Sequence, residues 1–214
     1  ITKAVFEHWN LERARNACYL WDAVRSQKDV VYKEIKYKYF FFCAAMLSDA
    51  KGAAFAIDAF GRSCLAKDGY KLVLAGNITD KYKNELTTLM KKYAITKNVE
   101  LVGFCNNVKP YMMEATAFLM CSRNEGLGRV TIEAMFYGCP VIAKNTGGTL
   151  DFIKDNKNGF IFSDIDSCVE IMRHVAYNSS QDIVLSAQRF AVENFSEEKY
   201  GQHIMEIYKE ILNV

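Results

Sequence analysis

A pair of glutamates that frames a glycine-rich loop is the part of this sequence with the clearest capacity for chemistry. Glu125 comes directly before Gly126, Gly128 follows two positions later, and Glu133 ends a segment with seven residues between the glutamates. Glycines let backbone amides approach a ligand closely, and carboxylates accept hydrogen bonds from sugar hydroxyls. Two glutamates at this spacing are common by chance, so their meaning depends on the surrounding segments.

The residues after the first glycine predict the start of a helix that could bind an anion. Residues 117–121 have the apolar character of a strand, and residues 129–137 have the pattern of a helix. Unpaired N–H groups at a helix start, together with the positive end of the helix dipole, favour a diphosphate. The predicted phosphate contacts are four consecutive residues at this start: Leu127, Gly128, Arg129 and Val130.

Short apolar runs alternate with helical patterns from residue 38 onward. This alternation is typical of βαβ units, which form a Rossmann-like parallel sheet with helices on both faces and place ligands at the carboxyl ends of the strands. The predicted strands are residues 39–45, 71–75, 99–102, 117–121, 140–143 and 160–162. The predicted helices are residues 51–65, 80–93, 108–114 and 129–137, followed by a largely helical stretch after residue 163.

The turns between these elements carry further motifs in a consistent order. They are Leu47-Ser48-Asp49-Ala50-Lys51-Gly52, Ala75-Gly76-Asn77, Val102-Gly103-Phe104, Gly138-Cys139-Pro140 and Gly147-Gly148. Together with the glutamate pair, they resemble the L-S-x-x-K-G and E-x7-E motifs of the family 4 (group 1) retaining glycosyltransferases. The similarity extends over residues 40–162 and implies the C-terminal, donor-binding domain of a GT-B fold.

The resemblance implies a role for each residue that matches a motif. Lys51 would contact the donor diphosphate, the amides of the glycine loop the phosphates, and Glu133 the ribose hydroxyls. Glu125 would contact the donor sugar, which makes it the candidate catalytic residue as well as a donor contact. Gly147 and Gly148 form either a tight turn or a further part of the donor site, and Asn77 and Asn106 lie in loops where a base could lodge.

One position departs from the family pattern. The family usually has an arginine five residues before the turn lysine, and this chain has Met46 there. Because arginine is always charged and can grip phosphate with two N–H groups, its loss should weaken donor binding. Our hypothesis is that Arg129, at the helix start, takes over part of that role.

The resemblance implies a hexosyltransferase that moves a sugar from a nucleotide diphosphate sugar to a carbohydrate or glycolipid acceptor, with retention at the anomeric carbon. Such enzymes stabilise the departing diphosphate with cations and helix-end amides, so we expect neither a cofactor nor a metal. The family's acceptor site and catalytic histidine come from the N-terminal domain, which could also contact a membrane peripherally. We therefore expect this chain alone to be incomplete and inactive.

Two other functions remain open from the sequence. A nucleotide-sugar 2-epimerase of the same fold would need further acidic residues and histidines, and we find no motif that supplies them. A donor-binding module without catalysis is the second alternative, from a different functional class. Added acceptor would release free nucleotide diphosphate from a transferase, whereas an epimerase would interconvert sugars and a module would only bind.

Composition argues against several classes of protein. Lys plus Arg exceed Asp plus Glu by 27 − 25 = 2 and form no long blocks, which argues against a nucleic-acid surface. Apolar runs are too short to span a bilayer. His8, His174 and His203 form no metal-ligand motif. The seven cysteines are odd in number and show no C-x-x-C spacing, so we interpret them as reduced core residues of a cytoplasmic protein. They are Cys18, Cys43, Cys64, Cys105, Cys121, Cys139 and Cys168.

The predicted organisation has three parts. Residues 1–37 form an N-terminal helical or linker segment, with residues 11–24 drawn as an amphipathic helix. Residues 38–163 form the Rossmann-like nucleotide-sugar-binding core, and residues 164–214 are C-terminal helices of the same domain. The last helix has apolar residues at helical spacing, so one face should be buried. These residues are Ile204, Ile207, Tyr208, Ile211 and Leu212.

Overall fold

Six parallel strands form one sheet in the order β3-β2-β1-β4-β5-β6 in the computed structural model, which describes residues 3–14, 18, 20–24 and 37–212. The strands are β1 (Tyr39–Met46), β2 (Lys71–Asn77), β3 (Val99–Gly103), β4 (Ala117–Met120), β5 (Val141–Lys144) and β6 (Phe160–Phe162). This order is that of a doubly wound Rossmann sheet, in which the chain reverses direction across the sheet between β1 and β4. The predicted fold class is confirmed.

The helices of the described residues follow the strands in βαβ order. They are α1 (Lys3–His8), α2 (Ala53–Ser63), α3 (Asp80–Lys92), α4 (Lys109–Glu114), α5 (Arg129–Phe136), α6 (Ile165–Tyr177), α7 (Gln181–Phe195) and α8 (Glu197–Leu212). Short 3₁₀ turns lie at Leu11–Arg13, Leu65–Asp68 and Gly147–Asp151. The bounds predicted for the strands and helices between residues 38 and 163 agree with these to within a few residues.

Strand β1 shows how the sequence covers both faces of the sheet. Phe40 and Phe42 belong to the core beneath α2, α3 and α6, whereas Phe41 belongs to the core beneath α4, α5 and α7. Successive side chains of a strand point to opposite faces, so a continuous apolar run is what a strand covered on both faces requires. The sheet is therefore rigidly held, and its carboxyl edge is a stable platform for a site.

The amino-terminal segment differs from the prediction. Among the described residues of 11–24, helical geometry is limited to the 3₁₀ turn Leu11–Arg13, and residues 20–24 belong to no helix or strand. Trp21 stacks on Phe195 with ring centroids 4.9 Å apart, and the Val24 N–H donates to the Phe195 carbonyl at 3.0 Å. Packing against α7 thus overrides the local helical pattern. Residues 15–17, 19 and 25–36 of the predicted amino-terminal segment lie outside the described residues.

The predicted burial of the last helix is wrong. Helix α8 forms, but none of its residues is buried, and Tyr208, Ile211 and Leu212 are 56%, 68% and 67% exposed. Amphipathic spacing predicts an apolar face without specifying what covers it. In the described part of the chain Ile204 and Ile207 are only half-buried, so this face is incompletely covered.

The cysteines divide into core and surface positions. Cys121, Cys139 and Cys168 are buried, Cys43 and Cys105 are half-buried, and all are free thiols. The interpretation as core residues is wrong for the two exposed thiols, Cys18 and Cys64. Among the described helices, none is both long and apolar enough to cross a membrane.

Candidate donor-binding cleft

A cleft of about 850 Å³ opens at the carboxyl ends of β1 and β4, where the direction of the sheet's winding reverses. Ligands of open α/β sheets bind in the crevice at such a reversal. The residues predicted from the sequence all lie along it, although they come from separate segments of the chain. They are Lys51, Glu125, Gly126, Leu127, Gly128, Arg129, Val130 and Glu133.

Lys51 reaches the cleft because the turn after β1 lies directly against the end of β4. Gly52 has a φ of +82°, and a Cβ there would overlap the carbonyl oxygen of Cys121. Only glycine combines this backbone conformation with so close an approach. The backbone N–H of Arg123 donates to the Ala50 carbonyl at 2.9 Å. This bond joins the loop after β4 to the turn after β1. The L-S-x-x-K-G turn is therefore fixed beside the glycine loop.

Lys51 and Glu125 form an ion pair across the cleft. The Lys51 Nζ lies 2.8 Å from the Glu125 Oε2, and their side chains are 41% and 20% exposed. Each charge is therefore neutralised by the other in the free protein. An anionic ligand that contacts Lys51 must compete with Glu125 for the ammonium group.

The Gly147-Gly148 turn holds the backbone of Glu125. Gly147 has a φ of +67°, and a Cβ there would lie 2.7 Å from both the amide nitrogen and the carbonyl oxygen of Glu125. The Gly148 N–H donates to the Glu125 carbonyl at 2.8 Å. The structure shows the tight turn and its support of a cleft residue, while a direct donor-site role for the two glycines stays a prediction.

Helix α5 begins at the glycine loop. Gly128 is its N-cap residue with a φ of +68°, and no side chain caps the helix. In the first turn the Thr131 N–H donates to the Gly128 carbonyl at 2.8 Å, whereas the N–H groups of Arg129 and Val130 have no side-chain cap. The helix dipole makes this end attractive to anions. Gly126 is different, because its φ lies outside the left-handed region and a Cβ there would meet only Val5 Cγ2 at 3.9 Å.

Glu133 lies one helical turn further along α5 and also faces the cleft. Partial burial raises the pKa of its carboxyl, and the nearby charge of Arg129 offsets part of this rise. Burial disfavours the charged form because the carboxylate loses hydration. An ionised Glu133 is therefore poorly hydrated in the free protein, and hydrogen bonds from hydroxyl groups would stabilise its carboxylate.

Arg129 and Arg123 occupy different environments near the loop. Arg129 lines the cleft, whereas Arg123 is tied to Asp49 by an ion pair at the rim. Met46, which stands where an arginine is usual, has a side chain that is 47% exposed and does not line the cleft. Of these two arginines, only Arg129 lines the cleft.

One part of the cleft was missed by the sequence analysis. The loop after β3 contributes Phe104, Cys105 and Val108, and β1 contributes Cys43 opposite them. Burial raises the pKa of the Cys43 thiol to about 12, with smaller contributions from Cys105 and Glu133. Asn77 and Asn106 do not line the cleft. Phe104, Cys105 and Val108 follow a parallel strand, and this position could have identified them as candidate site residues. Their apolar side chains carry no chemical motif, so there was no reason to select them from the sequence.

Metal-binding and histidine chemistry have no obvious location in the described residues. No three His, Cys, Asp or Glu side chains converge there as a metal-ligating group. His8, His174 and His203 are exposed and lie outside the cleft. The cleft itself offers a lysine, an arginine, two glutamates and the amides of a helix start.

Comparison with known sequences adds to this geometry. The profile of the family described as Glycosyl transferases group 1 matches residues 25–179. The glycogen synthase of Thermodesulfovibrio yellowstonii is 26% identical over 167 residues, which are 76% of this chain and 33% of that protein. The amylovoran biosynthesis glycosyltransferase AmsD of Erwinia amylovora is 35% identical over 91 residues, which are 42% of this chain and 25% of that protein.

Solved structures share the fold. Anabaena Alr3699/HepE in complex with UDP and glucose superposes with a TM-score of 0.69 at 24% identity, covering 81% of this chain and 48% of that one. Staphylococcus aureus TarM, in a complex that includes UDP, gives a TM-score of 0.82 at 19% identity. This superposition covers 95% of this chain and 41% of the TarM chain. The chain thus spans a quarter to a third of these curated relatives and less than half of these solved chains.

Proposed function

The chain belongs to the group 1 glycosyl transferases and has the C-terminal domain of their GT-B fold, and on this premise we propose that it binds a nucleotide diphosphate sugar in the cleft at the carboxyl ends of β1 and β4. The observation that carries the proposal is the convergence of Lys51, Glu125, Glu133 and the uncapped start of α5 in that cleft. Anabaena HepE, a structural neighbour, has been solved with UDP and glucose bound.

The diphosphate would lie between Lys51 and the first turn of α5. The free N–H groups at Leu127, Gly128, Arg129 and Val130 would donate to phosphate oxygens, and the helix dipole adds a favourable field. Lys51 would exchange its bond to Glu125 for a bond to phosphate. Arg129 lies close enough to contribute a second cation.

The two glutamates would contact hydroxyl groups at opposite ends of the diphosphate. Glu125, released from Lys51, would accept hydrogen bonds from the donor sugar, and Glu133 would accept them from the ribose. Because Glu133 is partly buried, hydroxyl donors would replace hydration that its carboxylate lacks in the free protein. The cleft would then select a ligand that carries hydroxyls on both sides of a pyrophosphate.

The reaction we propose is transfer of a hexosyl group to an acceptor with retention at the anomeric carbon. Departure of the nucleoside diphosphate breaks the bond between the anomeric carbon and a phosphate oxygen, and negative charge accumulates on the leaving group. Lys51, Arg129 and the α5 amides would stabilise that charge, as electrostatic catalysis requires. We propose that this stabilisation needs no metal ion, and that the acceptor and the general acid or base come from other parts of the protein.

A thermal-shift screen tests donor binding. Ligands that bind only the folded state raise the melting temperature, so one of UDP, GDP or ADP and its sugar derivatives should raise the Tm of this chain. Lys51→Ala should abolish most of the shift, whereas Lys83→Ala, which removes an exposed lysine of α3, should not. The proposal would be refuted if none of these nucleotides and nucleotide sugars raised the Tm of the wild type, or if soaked crystals showed the bound ligand outside the cleft.

Release of free nucleoside diphosphate tests catalysis separately. Addition of an acceptor to the donor-bound full-length protein should release it, because we propose that the acceptor site lies in other parts of the protein. Binding without release would favour a donor-binding module. Interconversion of the sugar without an acceptor would indicate an epimerase instead.

A further inference from the structure

Helix α1 lies against the outer side of the cleft. The backbone N–H of Lys3 donates to the Asp151 Oδ2 at 2.6 Å, which ties the start of α1 to the 3₁₀ turn Gly147–Asp151. Phe6 of α1 is buried, and Val5 lies next to Gly126. Helix α1 therefore contacts both segments that flank Glu125.

The same 3₁₀ turn supports Glu125 from its other end. Gly147 packs on the Glu125 backbone, and the Gly148 N–H donates to the Glu125 carbonyl at 2.8 Å. A continuous series of contacts therefore runs from Lys3 through Asp151 and the glycine turn to Glu125. The Asp151 carboxylate accepts from an N–H at a helix start, where a negative charge is also favoured by the helix dipole.

We propose that α1, anchored by Asp151, is a brace that positions Glu125 for the donor sugar. Asp151 and the Lys3 N–H are then positioning groups that determine how much affinity the sugar adds to that of the nucleoside diphosphate. This inference rests on the proposed donor site. The phosphate contacts are supported differently, because helix α5 packs on α7 and on the sheet. Loss of the brace therefore affects the sugar end of the cleft selectively.

Two variants break the brace from opposite sides. Asp151→Ala removes the acceptor, and Lys3→Pro removes the N–H donor at a helix position where proline is tolerated. The exposed Lys3–Glu7 ion pair at 3.6 Å is lost in the proline variant as well, so Glu7→Ala is its matched control. Asp151→Asn keeps an oxygen acceptor and should rescue most of the loss.

Calorimetric titration with UDP and UDP-glucose, and with the guanosine and adenosine pairs, gives the readout. Loss of a charge-assisted hydrogen bond should lower nucleotide-sugar affinity about tenfold in both brace variants. Affinity for the nucleoside diphosphate should fall by less than about twofold, because neither variant removes a proposed phosphate contact and a displaced Glu125 competes less for Lys51. Hydrogen exchange at the Gly148 amide should rise in both variants and stay unchanged in Glu7→Ala.

The outcomes separate this inference from the proposed function. A wild-type chain that binds no nucleoside diphosphate refutes the donor site, and the exchange of the Gly148 amide still tests whether α1 braces the turn. A wild-type chain that binds normally, with variants that lose both ligands in parallel or neither, refutes the brace. Unchanged Gly148 exchange in both brace variants refutes it as well.

Discussion

The Lys51 Nζ and the Glu125 Oε2 lie 2.8 Å apart, although their residues are 74 positions apart in the chain. The cation that we propose for the diphosphate is therefore already paired with the carboxylate that we propose for the sugar. Binding of the proposed donor would exchange one charged contact for another, and each residue of the pair should affect a different part of the donor.

Lys51→Ala and Glu125→Gln should have opposite effects on the affinity for a nucleoside diphosphate. Loss of the lysine should weaken it about tenfold or more, because a charge-assisted contact disappears. Loss of the competing carboxylate should strengthen it up to about fivefold, the range expected of a partly exposed ion pair. Calorimetry with UDP and UDP-glucose measures both, and the glutamine variant should lose the affinity that the sugar adds. Equally weakened affinity for the nucleoside diphosphate in the two variants would contradict the proposed exchange of Glu125 for phosphate at Lys51.

Arg129→Ala should weaken nucleoside diphosphate binding about fivefold, because an exposed arginine contributes modestly to binding an anion. Arg123→Ala is the matched control, since Arg123 lies in the loop that leads into α5 but pairs with Asp49. Titration of both variants with the same nucleotide checks the difference. Unchanged affinity in Arg129→Ala would contradict the hypothesis that Arg129 replaces the arginine that the family usually has at the position of Met46.

Glu133→Gln should stabilise the free protein at neutral pH while weakening nucleotide binding. The folded state raises the pKa of Glu133 above its ordinary value of 4.5, so the folded protein holds this proton more tightly than the unfolded chain. The contribution of Glu133 to the free energy of unfolding is therefore present below that value and lost as the pH rises through the folded pKa.

The measurement for Glu133 is the Tm difference between the glutamine variant and the wild type. It should grow in favour of the variant between about pH 4 and about pH 7, because glutamine does not titrate. A difference that is constant or shrinks over this range would show that burial does not destabilise the Glu133 carboxylate.

Gly52→Ala should destabilise the protein more than Gly69→Ala. Both glycines have a φ of +82°, but a Cβ at Gly52 overlaps the Cys121 carbonyl, whereas Gly69 has open space around it. The left-handed conformation should cost about 1–2 kcal/mol in both variants. The overlap should add roughly 1–3 kcal/mol more at Gly52. Denaturant unfolding of both variants gives the comparison, and equal losses would mean that the turn does not need its close approach to β4.

Much of the fold was predictable from local patterns. Apolar runs such as Tyr39–Met46, alternating with helical patterns, predicted a parallel sheet covered on both faces, and the strand and helix bounds followed. The eight predicted site residues were identified from the motifs of the glycine loop and the turn after the first strand. These features are encoded over short stretches, because glycine spacing and apolar periodicity depend on the local backbone.

Tertiary structure alone decided which of these residues meet. The pairing of Lys51 with Glu125, the support of Glu125 by Gly147 and the placement of Cys43 opposite Phe104 all depend on strand order, which brings distant loops to one edge of the sheet. The path of residues 20–24 along Phe195 and the incompletely covered face of α8 likewise depend on neighbours that a periodic pattern does not specify. Periodicity determines that an apolar face exists, whereas packing determines what contacts it.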